Sequence, residues 1–199
     1  MIDLEFNSSR DLKREGKSFY WASFFLPKTS KKKAGILYSI CRYFDDIADK
    51  YSEDQTNFLK DTIEEIRTNK NNKVNIFLQK NEINNLIFID LIEGLILDQK
   101  KIRIQNKEEL IKYSYHVAGT VGLMMSKIIG VKHKKAARSA IDLGIGMQLT
   151  NIARDVYEDS KMKRIYLPAN WIPNISLKNL NNLNEFNSKN DEKISKAIH

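Results

Sequence analysis

Proline stands at positions 27, 168 and 173 and nowhere else, so residues 28–167 run without one. Inside a helix, proline removes a backbone donor and clashes with the preceding turn, which makes it the strongest stop a sequence can carry. In its absence, apolar residues recur at three- and four-residue intervals along most of the stretch, and period-two alternation is scarce. The reading is an all-α chain, with helices expected near 8–24, 31–50, 53–69, 73–79, 82–101, 107–129 and 133–159. Thr29 and Ser30, after Pro27, read as an N-cap region, and Asn69–Lys73 as a polar loop rather than a linker. A length of 199 residues suits one domain with a real core.

Two rows of oxygen ligands stand out on these helices. Asn151, Asp155 and Asp159 are spaced i, i+4, i+8, with Gln148 three residues before them and Arg154 beside them. Each four-residue step turns about 40° around a helix, so the three share one side. Lys161, Lys163 and Arg164 follow as cations for an anion. The second row is Asp45 and Asp49 in DDIAD, with Arg42 and Tyr38 one and two turns before it on the same stripe. Carboxylate and amide oxygens suit a hard cation such as Mg²⁺, and guanidinium suits phosphate. A single row is also what a solvated helix face looks like. Two rows facing each other across a bundle would hold several cations, and through them one diphosphate.

Those rows fall within longer blocks: KSFYWASFFLP (Lys17–Pro27), YSICRYFDDIAD (Tyr38–Asp49), YSYHVAGTVG (Tyr113–Gly122), QLTNIARDVYED (Gln148–Asp159) and RIYLPANW (Arg164–Trp171). With these blocks the chain resembles the squalene/phytoene synthase family of head-to-head prenyl transferases, and YLPANW is most like the bacterial phytoene synthases. The resemblance implies an isoprenoid-synthase-type helix bundle around a central cavity. It implies condensation of two geranylgeranyl diphosphates to phytoene through a cyclopropyl diphosphate, releasing pyrophosphate, in carotenoid biosynthesis. Farnesyl diphosphate with squalene- or dehydrosqualene-type products is the alternative substrate reading. A non-catalytic assembly role is a further one, which the retention of both acidic rows argues against.

Residue by residue, the resemblance makes Asp45, Asp49, Asn151, Asp155 and Asp159 the metal ligands. Lys17, Ser18, Tyr38, Arg42, Gln148 and Arg154 would bind substrate, and Gln148 and Tyr115 would border the reacting carbons. Released pyrophosphate or a tyrosine would take the final proton. Mg²⁺ is the expected cofactor, with Mn²⁺ as a substitute, and no nucleotide cofactor is expected. The aromatic stripe Phe19, Tyr20, Trp21, Phe24, Phe25 reads as core from its spacing and as cavity lining from the resemblance, where ring faces would steady a cation. Asp98 matches a cavity position, and Gly94 would leave room there. The glycines of HVAGTVG each cost a helix about 1 kcal/mol against alanine, so close packing, a kink or space for a ligand tail must account for them.

Composition narrows the partners. The net charge is +8, but Lys and Arg are spread along the chain with Lys31–Lys33 the one compact run, so a nucleic-acid partner is not expected. The Lys excess favours anionic lipid, and a long hydrocarbon product cannot leave into water. The expectation is a cytoplasmic protein, peripheral to the inner face of the membrane. Cys41 is the only cysteine, so no intramolecular disulfide forms and a buried filler role is expected. His116, His133 and His199 show no soft-ligand spacing, which argues against zinc. No stretch reaches the ~20 apolar residues of a spanning helix, and no dinucleotide or P-loop fingerprint is present. The resemblance implies further helices that close the pocket and contribute another tyrosine. Residues 1–199 are therefore read as a single prenyl-synthase domain lacking its C-terminal helices, with 174–199 a polar tail or the opening of a cut-off helix. Such a chain is expected to fold but to react poorly.

Overall fold

The computed structural model describes residues 16–49, 55–99 and 103–172, together with Lys13 and Ala197. The polar segment 174–199, apart from Ala197, and the start of the first expected helix lie outside the described residues. The helices are α1 (Lys17–Ala22), continued by a 3₁₀ turn at Ser23–Phe25, α2 (Lys28–Ala48), α3 (Thr56–Arg67), α4 (Lys73–Lys80), α5 (Asn85–Asp98), α6 (Lys107–Ser114), a π-helical turn at Tyr115–Gly119, α7 (Thr120–Ile128), α8 (Lys134–Arg154) and α9 (Val156–Lys161). The described residues contain no strand, and one isolated bridge pairs Arg103 with Ile165. The all-α reading holds. Two of its helices are interrupted: 107–129 by the π turn, and 133–159 at Asp155, whose φ of −103° and ψ of 17° leave the helical region.

The helix ends explain themselves locally. Asn72, Asn84 and Asn106 cap α4, α5 and α6, each side chain accepting from a backbone N–H of the first turn. Glu109 reaches back to the Gln105 N–H at 2.8 Å, much as in a capping box. The expected Thr29–Ser30 cap is not used: α2 begins at Lys28 behind Pro27, with no side-chain cap. Four helices close through a residue at positive φ, namely Asn69, Glu82, Gly130 and Lys163. At α9, Lys163 N–H donates to Ser160 O (3.0 Å) and Arg164 N–H to Asp159 O (2.9 Å). That is a Schellman closure built on a lysine where glycine is the comfortable residue.

Packing yields two apolar clusters. The larger joins α2 (Leu37, Ile40, Phe44), α3, α4, α5 (Phe88, Ile92, Leu95) and α7 (Met124). The smaller joins Leu110 and Tyr113 of α6, Ile152 of α8, Val156 of α9 and the segment Ile165–Leu167. The π turn and α7 meet α8 backbone to backbone. A Cβ on Gly122 would lie 2.2 Å from Ala140 O, and one on Gly144 would lie 2.4 Å from Ala118 O. Close packing thus accounts for Gly122. The space at Gly94 belongs to His116, whose Cβ would stand 2.7 Å from an added methyl, and not to a ligand.

Gly144→Ala should therefore destabilise the protein by about 2 kcal/mol, overpacking outweighing the gain in helix propensity. Lys163→Gly should stabilise it by about 1 kcal/mol by relieving the left-handed lysine. Denaturant melts of the two variants check both signs.

Candidate active site

The two apolar clusters leave a polar seam between them. From α2 come Arg42, Asp45, Asp46 and Asp49, which its C-terminal turns place along a stripe. Arg42 Nη1 lies 3.2 Å from Asp45 and Nη2 lies 2.7 Å from Asp46. Arg42 Nε is buried and has no hydrogen-bond partner. Gln99 fastens this end of α2 to the end of α5, its Nε2 donating to Ala48 O, while its Oε1 accepts the Gln55 N–H at 2.9 Å.

The second row survives the break at Asp155. Asp155 N–H donates to Asn151 O (2.9 Å) and Asp159 N–H to Asp155 O (2.8 Å), so the four-residue register continues from α8 into α9. Arg154 grips the Asp155 carboxylate with Nε and Nη2, both at 2.6 Å. Asn151 and Gln148 stand side by side, 3.5 Å apart.

Between the rows sits Arg164, which the left-handed turn at Lys163 sends inward. It is 7% exposed, with Nη1 2.8 Å from Asp49 Oδ1 and Nη2 3.2 Å from Asp98 O. The Asp98 carboxylate accepts the hydroxyls of Tyr113 (3.0 Å) and Tyr166 (2.7 Å), whose rings stack at 4.9 Å. The expectation that Arg164 faces an external anion is thus corrected: it is an internal counter-charge. Nor does Lys161 face the seam, since its Nζ lies over the Tyr157 ring at 3.8 Å.

Electrostatics tie the rows into one cluster. Burial, then Asp49, pushes Asp45 up to about 6, against the pull of Arg42. Burial pushes Asp98 up to about 6, although Tyr166, Arg164 and Tyr113 pull the other way. Burial and then Asp155 push Asp159 up to about 7, with Asp98 adding to the rise and Arg164 opposing it. Asp98, absent from the predicted ligands, is therefore the link between Asp45 and Asp49 on one side and Asp159 on the other. Burial opposes the Arg164 charge, but Tyr166, Asp49 and Asp98 outweigh it and hold its pKa above the ordinary arginine value. Burial, followed by Asp45, raises the Cys41 thiol to about 12, which makes it inert; the expected filler is partly buried against the larger cluster.

The remaining expected residues are less gathered. Tyr38 packs under the start of α1, where a Cβ on Gly16 would stand 2.9 Å from its ring. Lys17 is exposed, and the Ser18 side chain lies outside the described residues. Tyr115 is drawn to α5, its hydroxyl 3.0 Å from Asp90 Oδ2. There the π turn also brings His116, whose Nδ1 lies 2.8 Å from Asp90 O. Asp90, Glu93 and His116 each bring a ligand atom to within 4.8 Å of one another. Among the described residues no three of the expected carboxylates Asp45, Asp49, Asp155 and Asp159 stand that close to one another. The grouping around His116 was not expected. Its only sequence signal is the i, i+3 pair Asp90 and Glu93.

The squalene/phytoene synthase family model matches residues 12–197. The chain belongs to the squalene/phytoene synthase family. Similar relatives include the 15-cis-phytoene synthase of Paracoccus sp. (strain N81106 / MBIC 01143), 30% identical over 86% of this chain and 62% of the relative. That of Enterobacter agglomerans is 30% identical over 92% of this chain and 68% of the relative. The chain thus spans about two thirds of the length of these relatives, and less than two thirds of the first. A crystal structure of a dehydrosqualene synthase in complex with ligand superimposes with a TM-score of 0.79 at 27% identity, covering 96% of this chain and 70% of that one. This likeness bears out the isoprenoid-synthase-type bundle.

An acid whose folded-state pKa lies above its unfolded value of 3.8 stabilises at low pH, and that contribution is lost as pH rises through the folded value, about 7 for Asp159. Without divalent cations, this family member should lose thermal stability relative to its Asp159→Asn variant as pH rises from about 4 to about 7. Parallel melting curves for the two proteins would contradict the assignment.

Proposed function

We propose that this chain carries the diphosphate-ionising centre of a head-to-head prenyl transferase that joins two geranylgeranyl diphosphates to phytoene, in carotenoid biosynthesis. The supporting observation is the convergence of two acidic segments, far apart in sequence, on one charge cluster with arginines among them. Each half of the reaction begins by breaking a C–O bond, and the departing pyrophosphate carries about three charges that need neutralising.

The donor set fits a hard cation, since Asp45, Asp49, Asn151, Asp155 and Asp159 offer only carboxylate and amide oxygens. These residues would hold Mg²⁺, or Mn²⁺ in its place, which supplies Lewis-acid neutralisation of the leaving group when bound. The chain's own groups do the rest. Arg42 has a buried Nε with unused donor capacity and would bind a phosphate oxygen. Lys17, Ser18, Tyr38 and Arg154 complete the phosphate contacts. Gln148 borders the reacting carbons, as does Tyr115. Burial and then Asp90 raise the Tyr115 pKa, so it stays a neutral phenol that cannot trap a carbocation as a phenolate would. No nucleotide is needed for this product.

A product of this size partitions from water at about 0.8 kcal/mol per CH₂, so the protein works at the inner face of the membrane. No helix among the described residues is long and apolar enough to cross a bilayer, and the contact is peripheral.

Incubation with labelled geranylgeranyl diphosphate and Mg²⁺, followed by product analysis, tests the reading. Where wild-type turnover is measurable, Asp45→Asn and Asp155→Asn should each lower it by about 100-fold or more, with helicity unchanged by circular dichroism. Mg²⁺ with pyrophosphate should raise the melting temperature of the wild type and not of the variants. Wild-type-like turnover or stabilisation in either variant would refute the paired rows. A squalene-type product from farnesyl diphosphate alone would reassign the chain length.

A further inference from the structure

The first described helix and the turn after it present aromatic rings to solvent. Trp21 is 70% exposed, Phe24 53% and Phe25 91%. The Trp21 and Phe24 rings lie 5.9 Å apart, and Phe25, beside Phe24 in the 3₁₀ turn, extends the exposed aromatic surface. This is neither the core stripe nor the enclosed cavity lining that the sequence allowed. A contiguous exposed apolar patch marks an interaction site.

The surroundings specify the partner's charge. Beside Lys17, assigned above to phosphate, residues 16–33 contain four lysines, Lys28, Lys31, Lys32 and Lys33, and no aspartate or glutamate. Lys28, Lys32 and Lys33 are exposed, and Lys31 Nζ lies 3.6 Å from the Phe24 ring centroid. Helix stability does not account for four lysines in the opening turns of α2, where the dipole disfavours cations. Indole and phenyl rings framed by ammonium groups match the bilayer interface, where rings settle at headgroup depth and each lysine is drawn to anionic lipid.

We propose that α1, the Ser23–Phe25 turn and the first turns of α2 form the surface that seats this protein on an anionic bilayer, with Trp21, Phe24 and Phe25 entering the headgroup layer. The inference rests on the membrane part of the function proposed above and adds the place of contact. It does not depend on the diphosphate chemistry.

The test uses the full chain with Trp171→Phe, which leaves Trp21 as the sole tryptophan, and vesicles of phosphatidylcholine with or without phosphatidylglycerol. Phosphatidylglycerol vesicles should float the protein, shift Trp21 emission to the blue and allow its quenching by brominated acyl chains. Phe24→Ser with Phe25→Ser should weaken partitioning about tenfold. Lys28→Glu with Lys32→Glu, or salt of about 0.5 M, should weaken it comparably. Phe25→Ser alone and the lysine variants should keep the wild-type melting temperature, because those side chains touch solvent. Phe24→Ser also gives up ring contacts with Tyr20 and Trp21 and should lower it only slightly. The Phe25→Ser single variant, with a partitioning loss of its own, therefore separates binding from stability.

Undiminished flotation of the Phe24/Phe25 variant with unchanged Trp21 emission would overturn the location and leave membrane association standing. No flotation of the wild type would overturn both. Equal binding to phosphatidylcholine alone would remove the anionic selectivity on which the proposal depends. A dimer abolished by the Phe24/Phe25 substitutions, or a collapse of their melting temperature, would show the patch covered by protein and refute the proposal.

Discussion

The contact between Arg164 and Asp49 spans 115 positions of sequence and fixes how the two acidic segments face each other. A guanidinium stays charged at any pH a folded protein meets, and although the Asp49 side chain is half-exposed, the Arg164 side chain is buried and is costly to leave without a counter-charge. Arg164 therefore has to be met on several sides, by Asp49 and by the Asp98 carbonyl. Asp98 is in turn held by Tyr113 and Tyr166. The Schellman turn through Lys163 aims the side chain inward. The backbone beyond it is pinned by Ile104 N–H to Ile165 O, and by Ala169 and Asn170 N–H to Ile104 and Gln105 O. Local turn chemistry, a short backbone pairing and a tyrosine stack thus converge on holding one cation among carboxylates.

That arrangement explains which parts of the molecule were legible in the sequence. Helix positions follow from apolar spacing, which is local, and the described helices mostly begin and end within a few residues of where the pattern puts them. The acidic rows were legible for the same reason, since i, i+4 spacing is a property of one segment. The π turn at Tyr115–Gly119 and the break at Asp155 were not. Each is a local departure from regular helix without a proline to announce it. In the π turn His116 lies against the Cβ-free Gly94, a contact between distant segments.

Arg164 and Asp98 were legible only in part. Both residue types are usually exposed, and among Lys161, Lys163 and Arg164 nothing in composition says which one turns inward. The left-handed φ of Lys163 decides that, and a lysine gives no hint of it as a glycine would. The aromatic stripe near the start failed differently. Its spacing is that of a core helix, but burial depends on whether another element covers it, and among the described residues no element covers Phe25.

The arginines also bear on how the proposed centre would fill. Arg42 rests on Asp45 and Asp46, Arg154 on Asp155, and Arg164 on Asp49. Each carboxylate proposed to hold Mg²⁺, Asp159 aside, is thus already engaged with a guanidinium. A divalent ion arriving alone would displace an arginine and leave its donors unmatched. A diphosphate arriving alone would draw the arginines off and leave half-buried carboxylates without their counter-charges. With both present, Asp45, Asp49, Asp155 and Asp159 would hold the ions while the freed Arg42 and Arg154 guanidinium groups would bind phosphate oxygens, leaving no charge unmatched. On the proposed function, metal and diphosphate then favour each other's binding reciprocally. Arg164 is the exception to this exchange. It is 7% exposed and bonded to the Asp98 carbonyl as well as to Asp49, so drawing it off would leave two acceptors unmatched where Arg42 and Arg154 would leave carboxylates that the ions then hold.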